Sequence, residues 1–285
     1  MTVFNLGSIN LDYFYKVPHL PTAGETLGAL DFTKGLGGKG ANQSVALALG
    51  GAEVCHIGQI HKDDEAQIAL LAKSGVDLTH LAKGDVPTGH AIVVIDEASG
   101  ENQILLMAGA NAAISQAQID TALADAKLGD WALTQNETNL GAYFLQQAKK
   151  AGLSICYSAA PFVKETVLSL IGLVDLLVVN EGEAAEIEAA LAQPPEAWGL
   201  PHLIITKGAD GAHYYGNDGA SFQPATRVKA VDTTGAGDTY LGFLLAQISQ
   251  GASMQEAMAM ASKAASVQVT RYGTADAIPT IAELR

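Results

Sequence analysis

Four residues, Gly235-Ala236-Gly237-Asp238, carry the strongest chemical statement in this sequence. Glycines in a turn let successive backbone N–H groups point at one spot. The apolar stripe Leu241, Leu244, Leu245 and Ile248 predicts a helix directly after the turn, ending near Gly251. The positive end of that helix adds to the amides, and together they make an anion hole suited to a phosphoryl group. Asp238 falls in the first helical turn. A carboxylate there is either a cap held by the helix dipole or a general base beside a transferring phosphate. The second role has a purpose, because an alcohol is a poor nucleophile until its proton has somewhere to go. The local sequence leaves both readings open.

A second glycine-rich run, Gly35-Leu36-Gly37-Gly38-Lys39-Gly40, satisfies G-x-G-x-x-G literally. That fingerprint has mechanical meaning only between a buried strand and a helix. Here a polar, glycine-containing stretch precedes it, and the first good strand, Val3 to Gly7, lies well upstream. A nicotinamide-dependent oxidoreductase therefore rests on the pattern alone. The Walker pattern fails because Gly40 follows Lys39. The glycines do open a helical run from Asn42 to Leu49, whose first amides are free for an anion or hydroxyl.

The elements that must position these groups follow from pattern. Apolar runs at Val3 to Gly7, Glu53 to Gly58, Trp131 to Gln135, Ser154 to Ala159, Leu176 to Asn180 and Leu203 to Gly208 read as strands. Helical stretches at 42–49, 65–74, 115–127, 139–150, 164–171 and 182–192 fall between them. Such alternation predicts an α/β protein with a mostly parallel sheet covered on both faces. Two segments break it. Residues 9–34 are extended and turn-rich, and residues 87–107 read as a hairpin; together they predict a small sheet that could act as a lid. Near the end, Arg227 to Val231 reads as a strand-like approach to Asp232, and Ser253 to about Val269 as a helix rich in small residues.

Bulk properties bound the answer. The chain has 285 residues, 48% of them hydrophobic, with 30 Gly, 9 Pro and a net charge of −14. That is globular composition, sufficient for a large core. The acidic balance argues against nucleic-acid binding. Cys55 and Cys156 sit in apolar runs without metal or redox spacing, and the N-terminus lacks the pattern of a signal peptide. No apolar segment reaches membrane-spanning length. The expectation is a soluble cytoplasmic protein, not associated with membranes.

Two motifs together resemble a known family. Asp232 to Asp238, "DTTGAGD", is similar to the C-terminal signature of the ribokinase-like sugar kinases, also called the phosphofructokinase B family. Gly37 to Gly51, "GGKGANQSVALALGG", is similar to its N-terminal signature. Further landmarks in order include "GSINLD" at 7–12, "PTAGET" at 21–26, Thr88 to Ala91, "GEN" at 100–102, "AGAN" at 108–111 and "VTRYG" at 269–273, and they bring the chain nearest to the ribokinase branch. The resemblance implies a single kinase domain over residues 1–285, with a three-layer α/β/α fold and a β lid from about 10–36 and 86–109. It implies an ATP-dependent sugar kinase acting on the primary hydroxyl of a pentose, most simply D-ribose to ribose 5-phosphate. Asp238 would be the general base and Gly235, Ala236 and Gly237 the anion hole.

The same resemblance assigns the sugar pocket to Asn10, Asp12, Gly38, Lys39, Asn42, Glu137 and Asp238, with glycines there because a Cβ would collide with the sugar. It assigns nucleotide contacts to Asn180, Glu183, Thr206, Gly208, Gly211 and Gly237, with Asn180 and Glu183 linked to the magnesium–phosphate network. Spacing alone reads Asn180 and Glu183 as a capping box. A monovalent cation, potassium, would sit at Asp232 with backbone carbonyls around Thr234, Gln268, Arg271 and Gly273. Three departures stand out. Ala277 replaces a Ser hydroxyl near that cation, Ser262 replaces an Asn near the adenine, and "YSAAP" at 157–161 keeps only part of the usual run. A homodimer through the lid is expected by resemblance. A nucleoside kinase, another furanose or ketose kinase, or a non-catalytic sugar sensor on the same fold are the alternatives.

Overall fold

The computed structural model describes residues 1–217 and 219–284. Thirteen strands occur among them: β1 (Thr2–Leu6), β2 (Asn10–Val17), β3 (Asp31–Gly37), β4 (Glu53–His61), β5 (Leu81–Gly84), β6 (Gly89–Asp96), β7 (Asn102–Met107), β8 (Trp131–Thr134), β9 (Ser154–Ser158), β10 (Leu176–Asn180), β11 (His202–Thr206), β12 (Gly211–Gly216) and β13 (Gly219–Pro224). The α-helices are α1 (Lys39–Leu49), α2 (Ala69–Lys73), α3 (Gln116–Leu123), α4 (Gly141–Lys150), α5 (Lys164–Leu170), α6 (Glu181–Leu191), α7 (Ala236–Ser249) and α8 (Met254–Gln268).

Nine strands form one sheet in the order β13-β12-β11-β10-β9-β8-β1-β4-β5, parallel except for the antiparallel β11–β12 and β12–β13 pairs. Its central strands are short continuous apolar runs because both faces are covered. Side chains alternate between two cores. Val3, Leu133, Leu176 and Ile204 join α1, α7 and α8 on one face, while Phe4, Leu6, Ala132, Ile155 and Leu203 join α3 to α6 on the other. This is the expected three-layer α/β/α arrangement.

A separate four-stranded sheet, β3-β2-β6-β7, is built from the two segments that broke the alternation. β2 and β6 run parallel, with Asn10 beside Gly89 and Asp12 beside Ala91; β3 and β7 flank them antiparallel.

The expected strand character of Arg227 to Val231 is not realised. The sheet edge there is already closed by the hairpin β12–β13, which pattern reading missed, and residues 227–231 run as exposed coil with Val228 and Val231 at the surface. The helix expected at 65–74 also divides, into a 3-10 turn (Glu65–Ile68) and α2. The short edge strand β5 was not expected either; elsewhere the elements fall within a few residues of expectation.

Candidate active site

The site is set by how α1 and α7 meet. Asn42 donates from Nδ2 to Oδ2 of Asp238 (3.1 Å). One turn later on both helices, a Cβ on Gly242 would lie 2.3 Å from the Cβ of Ala46; one turn later again, a Cβ on Gly50 would lie 2.9 Å from that of Ala246. Small residues four apart on each helix therefore let the two axes run closely side by side in the same direction. Both N-termini, and both positive helix ends, arrive at the same place.

Asp238 sits there, buried, in the first turn of α7. Its Oδ1 accepts from Nε2 of Gln43 (2.8 Å) and its Oδ2 from Asn42. Burial raises its pKa, opposed by the Lys39 ammonium and by the two amide donors, with Glu137 adding to the rise. A carboxylate made more basic than usual, with a fixed donor on each oxygen, is suited to accept a proton. The helix dipole also favours it, so the cap and base readings are compatible. Gly235 takes the left-handed conformation, φ 76°, that opens the turn. Of the hole's amides, Ala236 donates to the Thr233 carbonyl (3.2 Å), which leaves those of Gly235, Gly237 and Asp238 for a ligand.

The sugar-side residues converge on the start of α1. Glu137 accepts at Oε2 from the Lys39 amide (3.0 Å) and from Ser8 Oγ (2.5 Å). It thus caps α1 from the loop after β8, rather than the helix that follows it in sequence. Burial lowers the Lys39 pKa, but Asp238, Glu137 and Glu183 outweigh it, and the net shift is upward: the side chain is a fixed cation among three carboxylates. Burial, then Glu137, pushes Asp12 from 3.8 up to about 6, and its Oδ1 is buried without a partner. Oδ1 of Asn42 is likewise buried and unpartnered. Both are acceptors facing no donor, which suits a ligand that brings hydroxyls. Asn10 is held by Nδ2 of Asn111 (2.8 Å), which also clasps the Ile9 backbone.

The glycines of "GLGGKG" have a reason besides the one expected. A Cβ on Gly37 would lie 1.9 Å from Oδ2 of Asp12, one on Gly38 2.9 Å from the Ser8 carbonyl, and one on Gly40 2.3 Å from Cα of Gly7. The chain's own pocket wall, before any sugar, excludes side chains there. The run also begins within the end of β3, an antiparallel edge strand of the small sheet, rather than after a parallel strand, so the dinucleotide reading loses its required context.

On the nucleotide side, Asn180 and Thr206 are register partners at the ends of β10 and β11, where open α/β sheets bind ligands. Asn180 and Glu183 form a closed capping box, each side chain bonded to the other's amide (2.8 and 2.9 Å), as spacing suggested. Glu183 still faces the centre: burial raises its pKa, while Lys39 lowers it and Asp238 raises it further. Gly208 and Gly211 make the turn after β11 with φ of 53° and 130°, and a Cβ on Gly211 would strike the Gln223 carbonyl at 2.1 Å. Ser262 packs against the end of β13 through the Pro224 carbonyl (3.4 Å).

Among the described residues no cluster of three His, Cys, Asp or Glu could hold a metal by itself. Magnesium keeps several waters and takes one or two carboxylates plus substrate phosphates, so the donor set at Asn180 and Glu183 fits it. The monovalent-cation loop fits poorly. Asp232 already accepts from the amides of Thr234 (2.9 Å) and Gly273 (3.2 Å). The buried Gln268 points its Nε2 donor at the Thr234 carbonyl (2.7 Å), Ala277 offers no hydroxyl, and the Arg271 guanidinium takes the Ala277 carbonyl (3.3 Å). Donors of this chain thus already sit on the Asp232 carboxylate and the Thr234 carbonyl, two of the expected ligands.

Sequence reasoning missed Gln43, Ser8 and Asn111. All three lie inside the quoted motifs, but only their contacts separate them from helix and turn filler.

Comparison with known proteins gives the family and the fold. The profile of pfkB family carbohydrate kinases matches residues 2–281. A ribokinase from Haemophilus influenzae is 34% identical, covering 98% of this chain and 95% of its own length. A deoxyribokinase from Salmonella typhi is 31% identical, covering 99% and 96%. The crystal structure of a ribokinase from Cryptococcus neoformans in complex with ADP superposes with a TM-score of 0.88 at 28% identity, covering 99% of this chain and 98% of that one.

Proposed function

The chain belongs to the pfkB family of carbohydrate kinases and is an ATP-dependent sugar kinase; we propose that its acceptor is the primary hydroxyl of D-ribose and its product ribose 5-phosphate. The observation that carries the chemistry is Asp238, a buried carboxylate at the shared N-terminal end of two parallel helices, faced by the Lys39 ammonium. The choice of a pentose rests on the ribokinase and deoxyribokinase relatives and on the unpartnered acceptors of Asp12 and Asn42.

In this reading the sugar lies between Asp12, Asn10 and Asn42 and the start of α1. Asp12 and Asn42 accept from its hydroxyls and turn the primary hydroxyl toward Asp238. Asp238 removes that proton as the oxygen attacks the γ-phosphorus of ATP, and the bond to the β,γ-bridging oxygen breaks to release ADP. The free amides of Gly235, Gly237 and Asp238 hold the charge that develops on the transferred oxygens, and Lys39 adds a fixed positive charge nearby. Thr206, Gly208 and Gly211 hold the nucleotide. Magnesium, held by Asn180 and Glu183 through water, would neutralise the phosphate charge when bound. The four-stranded sheet acts as the lid of a single kinase domain and excludes water when it closes. The cation loop runs without potassium.

We also place a dimer at the lid. β7 is an edge strand exposed along its whole length, with Leu105 69% and Leu106 61% accessible, and Phe32 is exposed on β3. Such an edge favours pairing with another copy.

The test is ADP release from ATP across ribose, 2-deoxyribose, other furanoses and nucleosides, with wild type and Asp238→Asn. Ribose-dependent turnover that Asp238→Asn lowers by about 100-fold or more supports the reading. A preference for 2-deoxyribose or a nucleoside replaces the substrate. Binding of sugar and ATP without turnover of any substrate points to a sensor instead.

A further inference from the structure

Asp238 stands at the end of a buried chain of amides, and the chain has a direction. An amide side chain can present either its oxygen or its NH₂ group to a neighbour; what fixes the choice is a partner with only one role. Asn5 donates from Nδ2 to the Gly40 carbonyl (2.9 Å) and to Ser44 Oγ (2.8 Å). A backbone carbonyl can only accept, so Asn5 is locked with Oδ1 facing the other way. Gln135 donates from Nε2 to that Oδ1 (3.0 Å) and to Oε1 of Gln43 (2.6 Å). Gln43, its oxygen held by a donor, must turn its Nε2 to Asp238 (2.8 Å).

A second lock confirms the direction. His56 bonds the Gly7 carbonyl through Nε2 (3.2 Å) and Ser44 Oγ through Nδ1 (2.8 Å). The Gly7 carbonyl can only accept, so Nε2 carries a proton; in the neutral ring Nδ1 is then an acceptor, and Ser44 donates to His56 and accepts from Asn5. Burial keeps the ring neutral by lowering its pKa to about 4. Asn5, Ser44, His56, Gln43 and Gln135 are all buried, away from bulk water.

We propose that Gln43 is a positioning residue for phosphoryl transfer, and that Gln135 and Asn5 set its polarity so that an N–H always faces Asp238. The proposal rests on Asp238 being the general base. A protonated Asp238 would have to turn its O–H away from both Gln43 and Asn42, which present donors to its two oxygens. The relay therefore selects the carboxylate at a depth where burial alone favours the acid. The other charged groups facing Asp238 are Lys39 from α1, Glu137 from the loop after β8 and Glu183 from α6. None of them bonds the side chain's oxygens as Gln43 does.

The experiment measures kcat against pH, with KM for sugar and for ATP, in wild type, Asp238→Asn, Gln43→Glu, Gln43→Leu and Gln135→Met. Folding is checked by circular dichroism. Gln43→Glu sets two carboxylates face to face and is expected to move the acid limb of the profile up by about 2 pH units. Gln43→Leu removes one donor and is expected to move it by about 1 unit. Gln135→Met, which touches neither Asp238 nor the anion hole, is expected to shift the limb the same way by a smaller amount, with sugar KM within about three-fold of wild type, because Gln43 is then free to rotate. If Gln43→Glu fails to fold, Gln43→Leu and Gln135→Met decide. Folded variants whose acid limb stays at the wild-type pH overturn the proposal, even if kcat falls uniformly. Asp238→Asn with near wild-type turnover would instead sink the general-base reading itself.

Discussion

Replacing Asp12 by Asn sets the two demands on this pocket against each other. Asp12 is largely buried, its Oδ1 has no partner, and burial followed by Glu137 raises its pKa from 3.8 to about 6. A folded-state value above the unfolded one means the folded protein holds the proton more tightly. Between pH 4 and 6 the folded state then carries more protons, and stability falls as pH rises through that window. Above pH 6 the ionised carboxylate costs the free protein about 3 kcal/mol, or about 2 after allowing for the solvent that reaches the side chain. Asn has the same shape without the charge. Asp12→Asn is therefore expected to stabilise the ligand-free protein at pH 8 by about 2 kcal/mol, a rise in Tm of about 4 °C or more. Below pH 4 it should make no difference. The same change removes a charged acceptor for a sugar hydroxyl, so KM for the sugar should rise by about 10-fold or more with ATP KM unchanged. Thermal unfolding of both proteins at pH 4, 6 and 8, beside sugar kinetics at pH 8, checks this. A variant less stable than wild type at pH 8, or a stability difference that does not change with pH, would refute the reasoning.

Other outcomes follow from the same geometry. Gly40→Ala forces a Cβ to within 2.3 Å of the Gly7 backbone and should cost about 1–3 kcal/mol, read as a lower midpoint in urea unfolding, together with weaker sugar binding. Turnover in potassium chloride should equal turnover in tetramethylammonium chloride at matched ionic strength, because Gln268 and Arg271 already engage the loop's carbonyls; several-fold activation by potassium would show that the loop rearranges to admit a cation. Leu105→Lys with Leu106→Glu on the exposed β7 edge should convert a dimer to a monomer in sedimentation velocity; a wild-type monomer at micromolar concentration would remove the lid interface.

What the sequence disclosed, and what it withheld, divides along one line. The parallel sheet was legible because buried strands must be apolar runs and the helices between them must be amphipathic or small. The hairpin β12–β13 was not, because Gly211 to Gly216 and Gly219 to Pro224 mix glycine, serine and aromatics at a sheet edge, without either period. Asp238 was visible because an ionisable residue beside a glycine turn is conspicuous, while Asp12 and Lys39 were singled out by the resemblance of their motifs. Gln43 was not conspicuous. On α1 it is one uncharged polar residue among alanines, and nothing within a few residues says which way its amide points. That direction is fixed by the Gly40 carbonyl through Asn5 on β1 and Gln135 after β8, elements 35 and 130 residues apart in the chain. Charge can be read from composition; hydrogen-bond polarity exists only once the elements are packed. On the proposed reading, a site whose base is tuned by neutral amides shows its acid–base chemistry in the sequence and hides the tuning in the fold.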